Sequence, residues 1–287
     1  MKQRSILCRG ADGAFHRMAY TEWGPADAPV LVCVHGLTRN GRDFDALARR
    51  FSADYRVICP DIVGRGESGR LNNPDHYGYG QYLADMTALI ARLDVEDVSW
   101  LGTSMGALMG MVMAAGQSAA GSAAPIKRLL VNDAGPLVPK EALKRIGDYL
   151  GGDPEFEDIA EAEAFIRRVH APFGTLSDAE WTHLTEYSVR PDSGGGFRLK
   201  YDPGIAKPFA GAVDKDLDLW AFWDRIACPV TVLRGEASDL LSRKTADQMA
   251  LRGPKARVHD VAGCGHAPAL MDPAQLDLVA AWLARKD

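Results

Sequence analysis

The sequence predicts an α/β protein with a doubly wound, mostly parallel sheet, on the strength of two observations. Short apolar runs rich in β-branched residues alternate along the chain with segments of helical periodicity. The runs are apolar at consecutive positions, which is typical of strands covered on both faces of a parallel sheet. Strands of this kind alternating with amphipathic helices define a doubly wound domain.

Six apolar runs are interpreted as strands, and each ends at a turn residue or a polar residue. These runs are Val30–Val34, Val57–Cys59, Val98–Leu101, Leu129–Val131, Pro229–Leu233 and Val258–Val261. Helical spacing lies between them, for example at Phe44, Leu47, Ala48 and Phe51. The last helix is expected at about Pro273 to Arg285.

The alternation stops between about Gly135 and Asp218, where helix-like pieces occur without a strong buried strand. Helices are predicted at about 143–150, 160–169 and 179–187. We therefore expect a core domain formed by 1–135 and 219–287, with 136–218 as a helical lid inserted before the last two strands. Ordinary surface helices are the alternative interpretation of this segment.

Composition and charge exclude several classes of protein. The chain has 287 residues, 47% of them hydrophobic, and a disordered chain would have too few apolar residues to reach that fraction. Lys and Arg total 33 against 38 for Asp and Glu, and this acidic balance gives no case for binding nucleic acid or an anionic membrane.

The N-terminus and the cysteines predict a cytoplasmic protein. The apolar run after the first basic residues is only Ile6, Leu7 and Cys8, too short for a secretory signal. Five cysteines, without a CxxC pair, indicate free thiols in a reducing compartment. The uncharged stretch 101–125 is interrupted by Gly and Ser, so we expect a buried helix there and no membrane span.

Gly102-Thr103-Ser104-Met105-Gly106 is the first candidate site motif and matches G-x-S-x-G. It follows a predicted strand and precedes a long apolar helix. A sharp turn between the two would hold the Ser104 hydroxyl exposed as a nucleophile, with small glycines beside it. The alternative is that Ser104 is an ordinary turn or cap serine.

A serine nucleophile needs a base and a carboxylate that orients it. His266 lies in a Gly-rich loop after the last predicted strand, which suits a base. Asp239, after the strand Pro229–Leu233, is the preferred carboxylate, with Asp133 as its competitor and Glu236 as a weaker one. The chain order Ser104, Asp239, His266 is the order of an α/β-hydrolase triad.

An oxyanion formed during acyl transfer needs two backbone donors. One is expected to be the N–H of Met105, directly after the nucleophile. The other is expected to be the N–H of Leu37, in the loop His35-Gly36-Leu37-Thr38 after an early strand. His35 itself is interpreted as a structural residue that holds this loop through hydrogen bonds.

These motifs, together with Asp61-Ile62-Val63-Gly64-Arg65-Gly66-Glu67-Ser68, resemble the α/β-hydrolase superfamily in its lidded esterase and C–C hydrolase branch. The last motif is similar to the D-x-x-G-x-G-x-S loop of that family. The resemblance covers about residues 15 to 285 outside the lid. Ala107 departs from many relatives, which carry a second glycine after the nucleophile turn. The resemblance implies serine chemistry, because relatives with an aspartate nucleophile carry that aspartate at the position of Ser104.

The expected function is hydrolysis of a small-molecule carboxylic ester through an acyl-enzyme. C–C bond hydrolysis, thioester or lactone hydrolysis, perhydrolysis and a ligand receptor with little turnover remain open, since all could use the same three residues. We expect no cofactor and no metal, and the sequence does not indicate an oligomeric state. Aromatic residues of the lid are expected to favour an apolar acyl group; they are Phe156, Phe165, Phe173, Trp181, Tyr187, Phe197, Tyr201 and Phe209.

Overall fold

A central sheet of eight strands organises the fold, which is described by a computed structural model for residues 1–120, 125–210 and 214–285. Positions 121–124 and 286–287 of the predicted core and 211–213 of the predicted lid lie outside the described residues. The strands are β1 (Lys2–Arg9), β2 (Phe15–Trp23), β3 (Val30–Val34), β4 (Arg56–Pro60), β5 (Val98–Thr103), β6 (Ile126–Asn132), β7 (Leu137–Val138), β8 (Glu155–Phe156), β9 (Val189–Pro191), β10 (Phe197–Leu199), β11 (Leu217–Asp218), β12 (Val230–Gly235) and β13 (Arg257–Val261).

The sheet is mostly parallel, with an antiparallel edge. Its strand order is β1-β2-β4-β3-β5-β6-β12-β13, in which β1 pairs β2 and β2 pairs β4 antiparallel while the remaining neighbours are parallel. All six predicted strands are present. The α/β class and the mostly parallel sheet are therefore confirmed, and the two N-terminal strands extend it beyond the prediction.

The helices lie on both faces of the sheet and within the segment before β12. They are α1 (Asp45–Phe51), α2 (Tyr79–Leu93), α3 (Met105–Ala120), α4 (Lys140–Tyr149), α5 (Ile159–Val169), α6 (Asp178–Ser188), α7 (Ala206–Ala210), α8 (Trp220–Trp223), α9 (Arg243–Leu251) and α10 (Pro273–Leu283). The three helices predicted between 136 and 218 correspond to α4, α5 and α6.

Successive residues of β3 show why its apolar run has no polar side. Val32 packs in the apolar layer that contains Met109 of α3. The next residue, Cys33, packs in the opposite layer with Leu47 of α1 and Val279 of α10. Because side chains alternate across a strand, a sheet covered on both faces requires apolar residues at every position.

The described part of the helix α3 packs largely within the apolar layer beside the sheet. Ala107, Met109 and Met111 on it are fully buried against the sheet. In the part of the chain that the structure describes, no helix is long and apolar enough to cross a membrane.

The segment 136–218 leaves and re-enters the core at one place. Its first strand, β7, pairs antiparallel with its last strand, β11, through Val138 opposite Leu217. The N–H of Leu219 also donates to the carbonyl of Pro136 at 2.6 Å. Between these ends lie α4 to α7 and a small sheet ordered β8-β10-β9.

Candidate active site

Ser104 lies at the junction of β5 and α3 in a left-handed backbone conformation, with φ of 53°. The flanking glycines are required by contact distances. A Cβ at Gly102 would lie 2.3 Å from the carbonyl carbon of Gly106, and a Cβ at Gly106 would lie 2.1 Å from the carbonyl oxygen of Val34. This tight turn projects the Ser104 hydroxyl from the strand end, as the G-x-S-x-G pattern predicts.

Ser104, His266 and Asp133 form a continuous chain of hydrogen bonds. The Ser104 Oγ lies 2.8 Å from His266 Nε2, and His266 Nδ1 lies 2.8 Å from Asp133 Oδ2. A carboxylate only accepts, so His266 Nδ1 carries the proton and Nε2 is free to accept from the Ser104 hydroxyl. The geometry is that of a nucleophile, a base and an orienting acid.

Asp133 is fixed from several directions directly after β6. Its φ is 53°, and its N–H donates to the carbonyl of Leu233 at 2.8 Å. Its carboxylate also accepts from the Gly235 N–H at 2.8 Å and from the Ser238 Oγ at 2.7 Å. The Asp133 side chain is fully buried, so these bonds determine where it points.

The preference for Asp239 as the carboxylate beside His266 is wrong. Its side chain is 48% exposed and accepts from Arg145 Nη2 at 3.0 Å. The strand β12 ends at Gly235, and it is Ser238, one residue before Asp239, that turns towards Asp133. Glu236 in the same loop is exposed. The structure therefore places the competitor, Asp133, at His266.

The loop of Leu37 is held by His35, which is fully buried. His35 Nε2 accepts from the Ile62 N–H at 2.9 Å, so its proton is on Nδ1, which donates to the Gly36 carbonyl at 2.7 Å. Burial lowers the pKa of His35 to about 3, which keeps the ring neutral. Because the peptide is trans, fixing the Gly36 carbonyl also fixes the opposite direction of the Leu37 N–H.

The second candidate donor, Met105, is the first residue of α3. The first N–H groups of a helix have no partner within the helix, and the helix dipole adds positive potential there. Leu37, Ser104 and Met105 line one cavity together, so the two predicted donors lie on the wall that carries the nucleophile.

That cavity has a volume of about 630 Å³ and a mostly apolar wall. The core supplies one side of it and the 136–218 segment the other. Its charged lining residues, Lys215, Asp216 and Asp218, all belong to the end of that segment. Other lining residues from the two parts are Tyr77, Tyr79, Tyr82, Leu108, Val138, Leu143, Ile146, Ile205, Phe209, Leu217 and Leu240.

The aromatic residues expected to face the site divide into two groups. Phe209 lines the cavity with Ser104. The other seven do not line it: Phe156, Trp181 and Tyr201 are buried in the apolar core, Phe165, Phe173 and Phe197 are partly buried against it, and the Tyr187 ring packs against the Arg42 guanidinium. The apolar wall is thus built mostly from aliphatic residues of the 136–218 segment and from tyrosines that precede and begin α2.

Asp61, in the loop after β4, ties two loops together. Its carboxylate accepts from the Gly41 N–H at 2.7 Å and from the Glu67 N–H at 2.8 Å. Burial raises the pKa of the Asp61 carboxyl to about 6, against the effect of these two N–H groups. Gly66 has φ of 55°, and a Cβ there would lie 2.2 Å from Asp61 Oδ2.

Comparisons with known proteins agree with this architecture. The sequence pattern of the alpha/beta hydrolase family matches residues 31–281. A 3-hydroxybutyrate-oligomer hydrolase of Cupriavidus necator is 43% identical over 270 residues, covering 91% of this chain and 90% of the relative. A 2-(acetamidomethylene)succinate hydrolase of Mesorhizobium japonicum is 26% identical and covers 83% of this chain and 81% of the relative.

Among solved structures, an alpha/beta hydrolase from Novosphingobium aromaticivorans superimposes with a TM-score of 0.85. It is 33% identical, and the match covers 99% of each chain. The family pattern spans most of the chain, and the Cupriavidus relative is similar over nearly its full length. This chain belongs to the alpha/beta hydrolase family.

Proposed function

We propose that this protein is a serine esterase with Ser104 as nucleophile, His266 as general base and Asp133 as the orienting acid. The observation that carries the proposal is the pair of 2.8 Å contacts that join these three residues beside an apolar cavity. A serine hydroxyl is too weak a nucleophile alone, and a neutral imidazole in contact with it can accept its proton during attack.

The reaction would proceed in two halves. Ser104 Oγ attacks the ester carbonyl while His266 Nε2 takes its proton, and the buried Asp133 carboxylate stabilises the imidazolium. The N–H groups of Leu37 and Met105 are proposed to bind the oxyanion. His266 then protonates the leaving alcohol, and it later activates the water that hydrolyses the acyl-enzyme.

For the substrate we propose short oligomeric esters of hydroxy acids such as 3-hydroxybutyrate. Support comes from the Cupriavidus relative, a 3-hydroxybutyrate-oligomer hydrolase by name, which matches over 91% of this chain. The cavity volume of about 630 Å³ is within the usual range for small-molecule sites. In this proposal the 136–218 segment acts as the lid, because it supplies one wall of the acyl cavity.

The test compares wild type with Ser104→Ala on p-nitrophenyl esters from acetate to dodecanoate and on linear 3-hydroxybutyrate dimer and trimer. We expect wild type to release p-nitrophenol and 3-hydroxybutyrate, and Ser104→Ala to lose on the order of 10⁴–10⁶ in kcat. Ser99→Ala, a change at a buried serine within β5, is the matched control and should retain activity.

Two results would contradict the proposal. Turnover by Ser104→Ala close to that of wild type would exclude Ser104 as the nucleophile. Absence of turnover by wild type on every ester would exclude the esterase activity, and ring-fission products with a C–C bond to hydrolyse would then be assayed. Hydrolysis of p-nitrophenyl esters without that of the oligomers would retain the esterase and reject the substrate class.

A further inference from the structure

Arg65 is a buried arginine in the loop after β4, and the proposed roles of Ser104, His266 and Asp133 do not explain why it is there. Its exposure is 1%, and its guanidinium has no ion pair with a carboxylate of the described residues. An arginine keeps its charge even when buried, because its pKa is too high for it to lose the proton. Burying such a charge without a counter-ion is costly, so a compensating use is expected.

The contacts of Arg65 join the two residues proposed to bind the oxyanion. Its Nε donates to the Leu37 carbonyl at 2.8 Å, and one Nη lies 3.8 Å from the Met105 Sδ. The other Nη donates to the Val63 carbonyl at 2.8 Å and to the Tyr82 hydroxyl at 3.0 Å. The guanidinium therefore holds the Leu37 backbone and contacts the side chain that follows Ser104.

Arg65 also lies directly behind the wall of the acyl cavity. Its guanidinium carbon is 4.9 Å from the ring centre of Tyr82 and 5.9 Å from that of Tyr77. Both rings line the cavity, as do Leu37 and Met105. Four neighbours of one unneutralised cation thus form the cavity surface around Ser104.

Arg39, a second buried arginine, differs from Arg65 in having a carboxylate partner. It is also buried, but its Nε and Nη2 bind the Asp43 carboxylate at 2.8 and 2.7 Å. Its positive charge is neutralised locally. Among the residues that the structure describes, the contacts of the Arg65 guanidinium are with carbonyl and hydroxyl oxygens, a thioether and aromatic rings. Its potential therefore extends into the cavity wall.

We propose that Arg65 is a positioning residue of the oxyanion site, which fixes the Leu37 backbone and adds positive potential where negative charge develops. This inference rests on the proposed serine esterase function. An interaction that strengthens as the carbonyl oxygen becomes negative lowers the barrier without tightening substrate binding. Arg65 should therefore affect kcat much more than KM.

The experiment compares Arg65→Gln, Arg65→Met and Arg65→Lys with wild type. Two rates are measured for each: labelling of Ser104 by a fluorophosphonate probe, and hydrolysis of a p-nitrophenyl ester. For the two neutral variants we expect a fall of about 10²–10³ in both, the effect of losing one oxyanion donor, with KM nearly unchanged. Arg65→Lys should recover at least about tenfold over Arg65→Gln, because it restores the charge.

Arg56→Met is the matched control. Arg56 is also largely buried, and it pairs with Glu22 at 2.9 Å. It lies opposite Val30 at the start of β3, whereas Leu37 follows the end of that strand. We expect this variant to lose stability but to keep its labelling rate and kcat. Circular dichroism and active-site titration with the probe correct each kcat for the folded fraction.

Defined outcomes overturn the inference. Neutral variants that label and turn over at the wild-type rate exclude the role, as does a rise in KM with kcat unchanged. An Arg65→Lys variant no faster than Arg65→Gln excludes the contribution of charge. If neither neutral variant folds, Arg65→Lys carries the test: it should stay within about a hundredfold of wild-type kcat, and a deeper fall rejects the role of charge.

Failure of the underlying function gives a different result. Wild type that reacts with the fluorophosphonate but hydrolyses no ester would reject the esterase proposal, and the labelling rates would still report on Arg65. Wild type that does not react with the probe would reject the serine nucleophile and the Arg65 proposal together.

Discussion

The strand ends that carry Ser104, Asp133 and His266 and the 136–218 segment above them contribute differently to the candidate site. Asp133 is fixed by backbone pairing with β12 and by three bonds to its carboxylate. The 136–218 segment contacts the His266 loop through the Gly265 N–H, which donates to the Pro172 carbonyl at 2.7 Å, and it supplies one wall of the cavity. In the proposed mechanism, the sheet therefore positions the catalytic residues, while the segment gives the acyl cavity its shape.

The sharpest test of this comparison uses the two aspartates. Asp133→Asn replaces the buried acceptor of His266 Nδ1 with an amide, which favours the wrong tautomer, and we expect kcat to fall on the order of 10⁴-fold. Asp239→Asn removes only an exposed pair with Arg145 and should leave kcat within about twofold, since surface ion pairs contribute little. Steady-state kinetics on one ester measures both.

Equal losses in the two aspartate variants would contradict the assignment. A large loss in Asp239→Asn alone would mean that the loop after β12 rearranges to bring Asp239 to His266. Ser238→Ala provides an intermediate case, because it removes one of the bonds to Asp133 and leaves the carboxylate in place.

A stability test examines the loop of Leu37 through His35→Gln. Gln can donate to the Gly36 carbonyl and accept from Ile62 but does not titrate. The pKa of His35 is about 3 in the fold, below its ordinary 6.5, so the unfolded chain binds a proton that the fold excludes as the pH falls below 6.5. The free energy of unfolding of wild type therefore decreases as the pH falls, and the variant does not show this contribution.

The expected size follows from linkage between proton binding and folding. Between pH 7 and pH 5, the free energy of unfolding of wild type should decrease by about 2 kcal/mol relative to that of His35→Gln. Urea unfolding at the two pH values measures the difference, and the other titratable groups cancel between the two proteins. A difference independent of pH would show that the pKa of His35 is nearly the same in the folded and the unfolded protein.

The smallest expected effect concerns the 136–218 segment. Phe209 lines the cavity from this segment, so Phe209→Leu enlarges the cavity without touching the strand ends. We expect the preferred acyl chain to lengthen, with kcat/KM for long relative to short esters changing by about tenfold. The ester series measures this ratio, and an unchanged ratio with reduced kcat would mean that the segment also positions the catalytic residues.

The sequence predicted the parts of this protein that depend on local pattern. Buried strands such as β3 need apolar residues at every position, and the turn at Ser104 needs its two glycines, so both can be found without coordinates. The strands β1 and β2 were not predicted. Most of β1 is exposed at the edge of the sheet, so it lacks a continuous apolar run.

The choice of the acid could not be made from pattern. Asp133 and Asp239 both follow strands that lie between the Ser104 strand and the last strand in the sheet. They differ in the direction of their side chains. Asp133 has a left-handed backbone and contacts His266. In the turn after β12, Ser238 points towards Asp133, whereas Asp239 points to the surface. Arg65 was visible within the D-x-x-G-x-G-x-S motif, but its contacts with Leu37 and Met105 depend on the folded loop.

The pairing of β7 with β11 has a consequence for how such a protein can change. The 136–218 segment begins and ends at neighbouring positions. Its connections to the core are therefore those of a short hairpin, whatever its length or content. Replacing the residues between Val138 and Leu217 requires no change in the path of the chain through the sheet. In the proposed function, the part of the acyl cavity that this segment supplies can therefore be exchanged as one unit, in evolution or by engineering. The strand ends that carry Ser104, Asp133 and His266 keep their places in the sheet.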